Sequence, residues 1–195
     1  MWEERYGAEE YAYGKKPNDF LHQYVSKLPQ GRVLCLAEGE GRNAVYLAKQ
    51  GYDVVAVDSS IAGMQKAQKL ADENNVTIKT IVSDLAEFDF EIGGFDAVVS
   101  IFCHLPVPLR QQIHNQVVKS LRPGGTFLLE AYTPDQLKYK TGGPPVAELT
   151  VRKDELLKEV ADLEVMYCYE LVRDVTEGIY HTGKGAVVQL IARKL

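Results

Sequence analysis

The 195-residue chain is 46% hydrophobic and 25% charged, enough apolar material to close one soluble core and too much for a disordered chain. Its net charge of −5 excludes the continuous basic field that a nucleic acid or an anionic membrane surface requires of its main partner. No stretch approaches the ~18 apolar residues of a membrane span, and the start, Trp2-Glu3-Glu4-Arg5-Tyr6, lacks the basic and apolar regions of a leader, so a cytoplasmic location is expected.

Cys35, Cys103 and Cys168 are far apart, and each falls in an apolar strand. They read as buried, reduced thiols, with neither a disulfide nor a metal site expected.

Residues 1–16 are aromatic and charged without a period. Pro17-Asn18-Asp19 then reads as a helix start before a stripe of Phe20, Leu21, Tyr24, Val25 and Leu28. After Pro29-Gln30-Gly31, a first strand from Val33 to Ala37 runs into Gly39-Glu40-Gly41, and a helix carrying Ala44, Leu47 and Ala48 follows. Such a turn lets a ligand lie against bare backbone amides at a helix N-terminus. The spacing also fits the dinucleotide fingerprint, so the motif alone leaves a nicotinamide and other adenosine cofactors open.

The second strand, Asp53 to Val57, ends on Asp58-Ser59-Ser60, where a carboxylate can accept both hydroxyls of a ribose. Ile61, Met64, Ala67, Leu70 and Ala71 form the core stripe of the next helix. A third strand, Thr77 to Ser83, ends on Asp84-Leu85, and a fourth, Phe95 to Phe102, ends on Cys103-His104. A helix marked by Leu109, Ile113, Val117 and Leu121 is broken by Arg122-Pro123-Gly124-Gly125 before a fifth strand, Thr126 to Tyr132.

Residues 133–149 are too long for an ordinary connection and read as a lid. After a short helix with Leu156, Leu157 and Val160, strands from Leu163 to Arg173 and Gly185 to Arg193 must pair antiparallel, since the 174–184 connection has no room for a crossover helix. The whole is an α/β chain with a doubly wound sheet. It is one domain: a cap and helix (1–30), a ligand-binding core (31–132), and a lid with the antiparallel pair (133–195).

The Gly39-Glu40-Gly41-Arg42-Asn43 turn, Asp58, Ser83-Asp84-Leu85, Phe95-Asp96 and Leu121-Arg122-Pro123-Gly124-Gly125 together resemble the class I S-adenosylmethionine-dependent methyltransferases. Arg5-Tyr6, Tyr13-Gly14 and Pro17-Asn18 with Glu38 to Asn43 are similar to the tellurite-resistance and thiopurine-methyltransferase-like branch. The resemblance implies a seven-stranded sheet of order 3-2-1-4-5-7-6 with strand 7 antiparallel, and S-adenosylmethionine as cofactor. The chain departs from the family at Cys35 and Ala37, where an acidic residue and the first glycine usually stand. Glu38 either supplies the missing charge for the cofactor's ammonium or is a solvated turn residue.

Since a parallel sheet binds at the carboxyl ends of its strands, the implied cofactor site is Glu38, Gly39, Gly41, Asn43, Asp58, Ser59, Asp84, Leu85 and Phe102. Gly39 and Gly41 would approach the methionine part, Asp58 the ribose, and Asp84 and Leu85 the adenine. The acceptor side would hold Arg5, Tyr6, Tyr13, His104, Tyr132, Tyr180 and His181, with His104 and His181 the candidates for a base. His22 and His114 read as surface residues, and Arg5, Lys15, Lys16, Lys138, Lys140 and Lys184 as rim or solvated cations.

The function expected is methyl transfer to a small thiol, chalcogen oxyanion or similar soft or anionic acceptor. A sensor that binds the cofactor without turnover and a nicotinamide oxidoreductase are the alternatives. The sequence does not bear on the oligomeric state.

Overall fold

A computed structural model describes residues 2–195. Seven strands form one sheet: β1 (Arg32–Leu36), β2 (Asp53–Asp58), β3 (Lys79–Val82), β4 (Phe95–Ile101), β5 (Leu121–Tyr132), β6 (Glu164–Glu177) and β7 (His181–Arg193). Their order is β3-β2-β1-β4-β5-β7-β6. β7 is antiparallel to both neighbours and the other pairings are parallel, as the resemblance implied.

The helices are α1 (Trp2–Tyr6), α2 (Asp19–Tyr24), α3 (Arg42–Lys49), α4 (Ile61–Glu73), α5 (Val107–Ser120) and α6 (Lys153–Glu159). Side chains alternate across a strand, so each strand feeds two cores. Val33, Cys35, Val54, Ala56 and Val99 pack with Leu21, Leu47, Met64 and Leu70 from α2, α3 and α4. Leu34, Leu36, Val55, Val98 and Leu129 pack on the opposite face with Ile113, Val117, Leu156 and Val160 from α5 and on the α6 side. The Met64 and Ala67 stripe is core, as its helical spacing predicts.

Four expectations change. Arg122-Pro123-Gly124-Gly125 does not precede β5 but lies within it, because Leu121 already pairs with Phe95 and the register then shifts. Gly124 takes φ +80°; its N–H donates to the Lys194 carbonyl and the Lys194 N–H donates to the Gly125 carbonyl, both at 2.8 Å, holding the bulge in the sheet.

The expected 174–184 connection contracts to Gly178–Tyr180, since pairing continues to Glu177 and His181. Gly178 turns the chain at φ +64°, and the Ile179 N–H donates to the Ala12 carbonyl at 3.1 Å, fixing the hairpin tip to the N-terminal segment.

α2 stops at Tyr24 and tightens into a 3-10 turn over Val25–Lys27, although Asn18 caps it as the sequence predicts, accepting from the Leu21 N–H. His114 is buried rather than superficial. Its Nδ1 lies 2.7 Å from Glu159 Oε2, because α6 packs against α5 at that point. His22 is exposed.

The 133–152 segment passes through two 3-10 turns, Pro134–Lys138 and Ala147–Leu149. Buried Gln136 ties it down by accepting from Ala186 N–H at 2.8 Å and donating to Thr141 and Gly142. At its far end Arg110 donates to the Thr150 carbonyl at 2.8 Å. No helix among the described residues is long and apolar enough to cross a membrane.

Candidate active site

The site is built at the carboxyl ends of β1, β2 and β4. β1 passes into Ala37, a non-glycine residue at φ +49°, and then into Glu38. Far from being solvated, Glu38 is 8% exposed, and its Oε1 accepts the N–H groups of Asn43 at 2.9 Å and Ala44 at 2.8 Å. It therefore satisfies two orphan donors at the start of α3. Burial pushes its carboxyl up to about 7, against the pull of those N–H groups and of Arg42.

Asp58 stitches β2 to the glycine turn. One oxygen accepts from Gly39 N–H at 2.9 Å and the other from Ser60 N–H at 2.8 Å. A Cβ on Gly39 would lie 2.7 Å from the Tyr6 hydroxyl, so glycine is what lets α1 close over the turn. Gly41 serves helix packing. At φ +89° a Cβ there would meet the Ala67 Cα at 2.6 Å, so this glycine sets the contact of α3 with α4.

Two cavities adjoin above these strand ends. The smaller, of about 230 Å³, is lined by Asp58, Ser59, Ser83, Asp84, Leu85 and Cys103 among others. The larger, of about 340 Å³, is lined by Arg5, Tyr13, Glu38, Arg42, Asn43, Gly142, Pro144, Tyr180 and His181 among others. Trp2, Tyr6, Ala37, Phe102 and His104 face both. Phe102 is a second non-glycine residue in the left-handed region, at φ +52°, a strained conformation of the kind that surrounding structure must impose.

Of the expected acceptor residues, Arg5, Tyr6, Tyr13, His104, Tyr180 and His181 come together around the larger cavity. Tyr132 does not line it. Its ring is buried behind Phe102, stacked at 4.4 Å and 20°, so Phe102 stands between it and the cavity. Asn43 reaches the cavity but spends its side-chain oxygen on the Asn18 N–H at 2.9 Å.

The roof is the N-terminal segment. Glu3 accepts from the Ser60 hydroxyl at 2.6 Å and the Ala62 N–H at 3.2 Å, docking α1 on the start of α4. Arg5 donates to the Tyr13 hydroxyl at 2.7 Å and lies over the Trp2 and Tyr180 rings, 4.9 and 4.5 Å from their centroids. Of the six rim cations expected from sequence, only Arg5 faces a cavity. Lys15 pairs with Glu73 and Lys138 with Asp135 out on the surface.

Beneath the larger cavity lies a buried ionic network that sequence reading did not anticipate. Arg42 donates to Glu177 at 2.7 Å, and Arg173 donates to Glu130 at 2.6 Å. Asn18 donates to both carboxylates and Gln189 to Glu130. Burial opposes the charge on Glu177, yet His181, Arg42 and Arg173 overcome it and hold the carboxyl down to about 2.

Two histidines above this network stay neutral near pH 7. Burial, with His181 nearby, pulls His104 down to about 3, and burial also lowers His181 against the pull of Glu177. Burial and the Asp58 charge push the Cys103 thiol up to about 12, so it is no nucleophile at neutral pH.

Residues 33–125 match the family model described as a methyltransferase domain. Over that span the chain is a methyltransferase domain, and its strand order is that of the class I S-adenosylmethionine-dependent fold. The domain is similar to the TehB structure from Haemophilus influenzae, with a TM-score of 0.75 at 22% identity over 100% of this chain and 66% of that one, a likeness of fold.

Among curated relatives, a 2-heptyl-1-hydroxyquinolin-4(1H)-one methyltransferase of Mycobacteroides abscessus is 28% identical over 80% of this chain and 66% of its own length. A tRNA (uracil(54)-C(5))-methyltransferase of Pyrococcus furiosus is 29% identical over 74% of this chain and 32% of its own. The methyltransferase domain here thus spans less than two thirds of either relative. S-adenosylmethionine is the cofactor of such a domain.

Trp2 and Arg42 were not among the site residues expected. Arg42 stood in plain view directly after Gly41, and its signal was a charge where an apolar helix begins. Trp2 carried no periodic signal at all.

Proposed function

We propose that this chain transfers the methyl group of S-adenosylmethionine to a small molecule bound in the larger cavity. The observation that carries this reading is the pair of adjoining compartments at the ends of β1 and β4, divided by one wall of Trp2, Tyr6, Ala37, Phe102 and His104. The smaller compartment offers what an adenosine needs. Asp58 and Asp84 stand at successive strand ends for hydroxyl and amine hydrogens, and Leu85 and Phe102 provide apolar faces. Glu38, which lines the larger cavity, provides a carboxylate for the ammonium, so the cofactor's amino-acid tail would reach past Ala37 into that cavity. The residues present therefore fit the cofactor.

That cofactor supplies a methyl carbon on a positive sulfur, open to in-line displacement. The chain's task is to hold the acceptor against it, since placing reacting atoms within about 3–3.5 Å accounts for much of such a rate. The aromatic walls exclude water, and His104, neutral down to about 3, orients by hydrogen bonding and is a poor proton acceptor. An acceptor that arrives already ionised, such as a thiolate, an acidic hydroxyl or a chalcogen oxyanion, suits that equipment. A cavity of about 340 Å³ on a chain of net charge −5 suits a small molecule better than a tRNA. Three unpaired cysteines accord with a cytoplasmic setting.

Incubation with methyl-labelled S-adenosylmethionine and a panel of aromatic thiols, hydroxyquinolones and selenite is expected to move label to an acceptor with release of S-adenosylhomocysteine. Tight cofactor binding with no transfer to any of them would favour a sensor instead.

A further inference from the structure

Among the described residues, the buried side-chain nitrogens and oxygens without a hydrogen-bond partner are Arg42 Nη1, His104 Nδ1 and Nε2, and His181 Nδ1. All three residues line the larger cavity. A buried donor left unpaired is costly, and more so when charged, so gathering these groups in one place needs a reason. A ligand that supplies acceptors is that reason.

We propose that the larger cavity takes an acceptor with a flat apolar body and one carboxylate or comparable organic oxyanion, and that Arg42 Nη1 holds the anion. The proposal rests on the acceptor sharing the larger cavity with the cofactor's amino-acid tail, whose ammonium Glu38 would meet.

Arg42 is 8% exposed, and its Nη2 is pinned to Glu177 Oε2 at 2.7 Å. One edge of the guanidinium is thereby spent on fixing its plane, which leaves Nη1 as a positioned donor. Glu177 is in turn held by Asn18 and Arg173, so the arginine stands on a braced support.

His104 flanks it as a neutral group able to turn one N–H toward an oxygen, and His181 lies beside it with its Nδ1 3.8 Å from Glu177 Oε2. Arg5 adds a second cation at the rim, hydrogen-bonded to the uncharged Tyr13 hydroxyl. Glu38 is the one carboxylate on the lining, and its Oε1 is engaged by the first turn of α3. The rest of the wall is flat and apolar, with Trp2, Tyr6, Tyr13, Phe102, Tyr180 and Pro144. Rings stack on such a surface, whereas a small inorganic oxyanion would leave most of it uncovered.

Calorimetry on the full chain tests this with sodium benzoate, benzamide and sodium sulfate, each with S-adenosylhomocysteine at saturation. Benzoate is expected to bind at least about tenfold more tightly than benzamide or sulfate, the loss that follows from one charged hydrogen bond. Arg42→Lys is expected to weaken benzoate about tenfold and to leave S-adenosylhomocysteine within twofold.

Equal binding of benzoate and benzamide, or no benzoate binding, would overturn the proposal, and sulfate matching benzoate would overturn its aromatic part. Equal losses of benzoate and S-adenosylhomocysteine in Arg42→Lys would give the arginine to the cofactor's carboxylate and overturn it as well. The benzoate and benzamide comparison on the unaltered chain decides even if the variant fails to fold. Failure of S-adenosylhomocysteine to bind would count against the methyltransferase reading, and the benzoate preference measured without it still reports on Arg42.

Discussion

The two halves of the site are made differently. On the side of β1 and β2, polar groups are satisfied by near neighbours in the chain. Glu38 caps the helix that begins four residues later, and Asp58 binds Ser60 and reaches back to Gly39. On the side of β6 and β7, the bonds join residues more than a hundred positions apart, such as Asn18 with Glu130 and Arg42 with Glu177. Among the described residues four buried polar atoms, on Arg42, His104 and His181, are left open around the larger cavity. On the proposed function, the half that would receive an unvarying molecule is closed and local, while the half that would select a partner is assembled from remote pieces.

Removing Glu177 attacks the remote half hardest. Glu177→Ala leaves Arg42 and Arg173 buried beside a missing carboxylate, and loss of one partner of such a pair costs about 3–5 kcal/mol. Urea unfolding is expected to show that loss, with S-adenosylhomocysteine affinity of the folded fraction changed less than threefold. A matching collapse of cofactor affinity would mean that the halves are not separate.

A smaller effect sharpens the local half. Glu38 titrates at about 7 in the folded chain, above the ordinary value of 4.5. Raising the pH from 6 to 8 ionises it. An ammonium-bearing ligand should then bind up to about tenfold more tightly. The folded state meanwhile binds more protons than the unfolded one between about 4.5 and 7, so Glu38's contribution to stability falls as pH rises through that window. S-adenosylhomocysteine titrations across pH 6–8 should show the rise in the unaltered chain and a flat profile in Glu38→Gln. A flat profile in both would remove Glu38 from the cofactor's ammonium.

The smallest effect concerns Ala37, held at φ +49° where the family usually has glycine. Ala37→Gly relieves ~1–2 kcal/mol of left-handed strain and gives back part of it as unfolded-state entropy, so a gain under about 1 kcal/mol is expected in the urea midpoint. A clear loss would show that the methyl group packs against something worth keeping.

The same division explains what could be read in the sequence. Strand order and the places of Asp58, Asp84 and Leu85 were legible, since a strand, a turn and a helix announce themselves within twenty residues. Glu38 was half legible: its neighbourhood to Gly39 was visible, but its cap on α3 needed coordinates.

Arg42, Glu130, Arg173 and Glu177 were not read as a group, because nothing in a linear string says which distant charges will meet in the interior. Gly41 reads as a turn glycine in the sequence, and its close contact with Ala67 needs coordinates, because a tight turn and a close helix contact ask for the same residue. The place of Tyr132 behind Phe102 is not legible, because the stacking of one strand-end ring over its neighbour's is not written in their alternation.

Trp2 is the chain's single tryptophan, and it stands on the partition between the two compartments, 5.7 Å from the Tyr6 ring. The unlabelled protein therefore carries its own optical gauge. Filling either compartment alters the surroundings of one indole, so emission colour and quenching can register each arrival separately and reveal in what sequence the two guests enter.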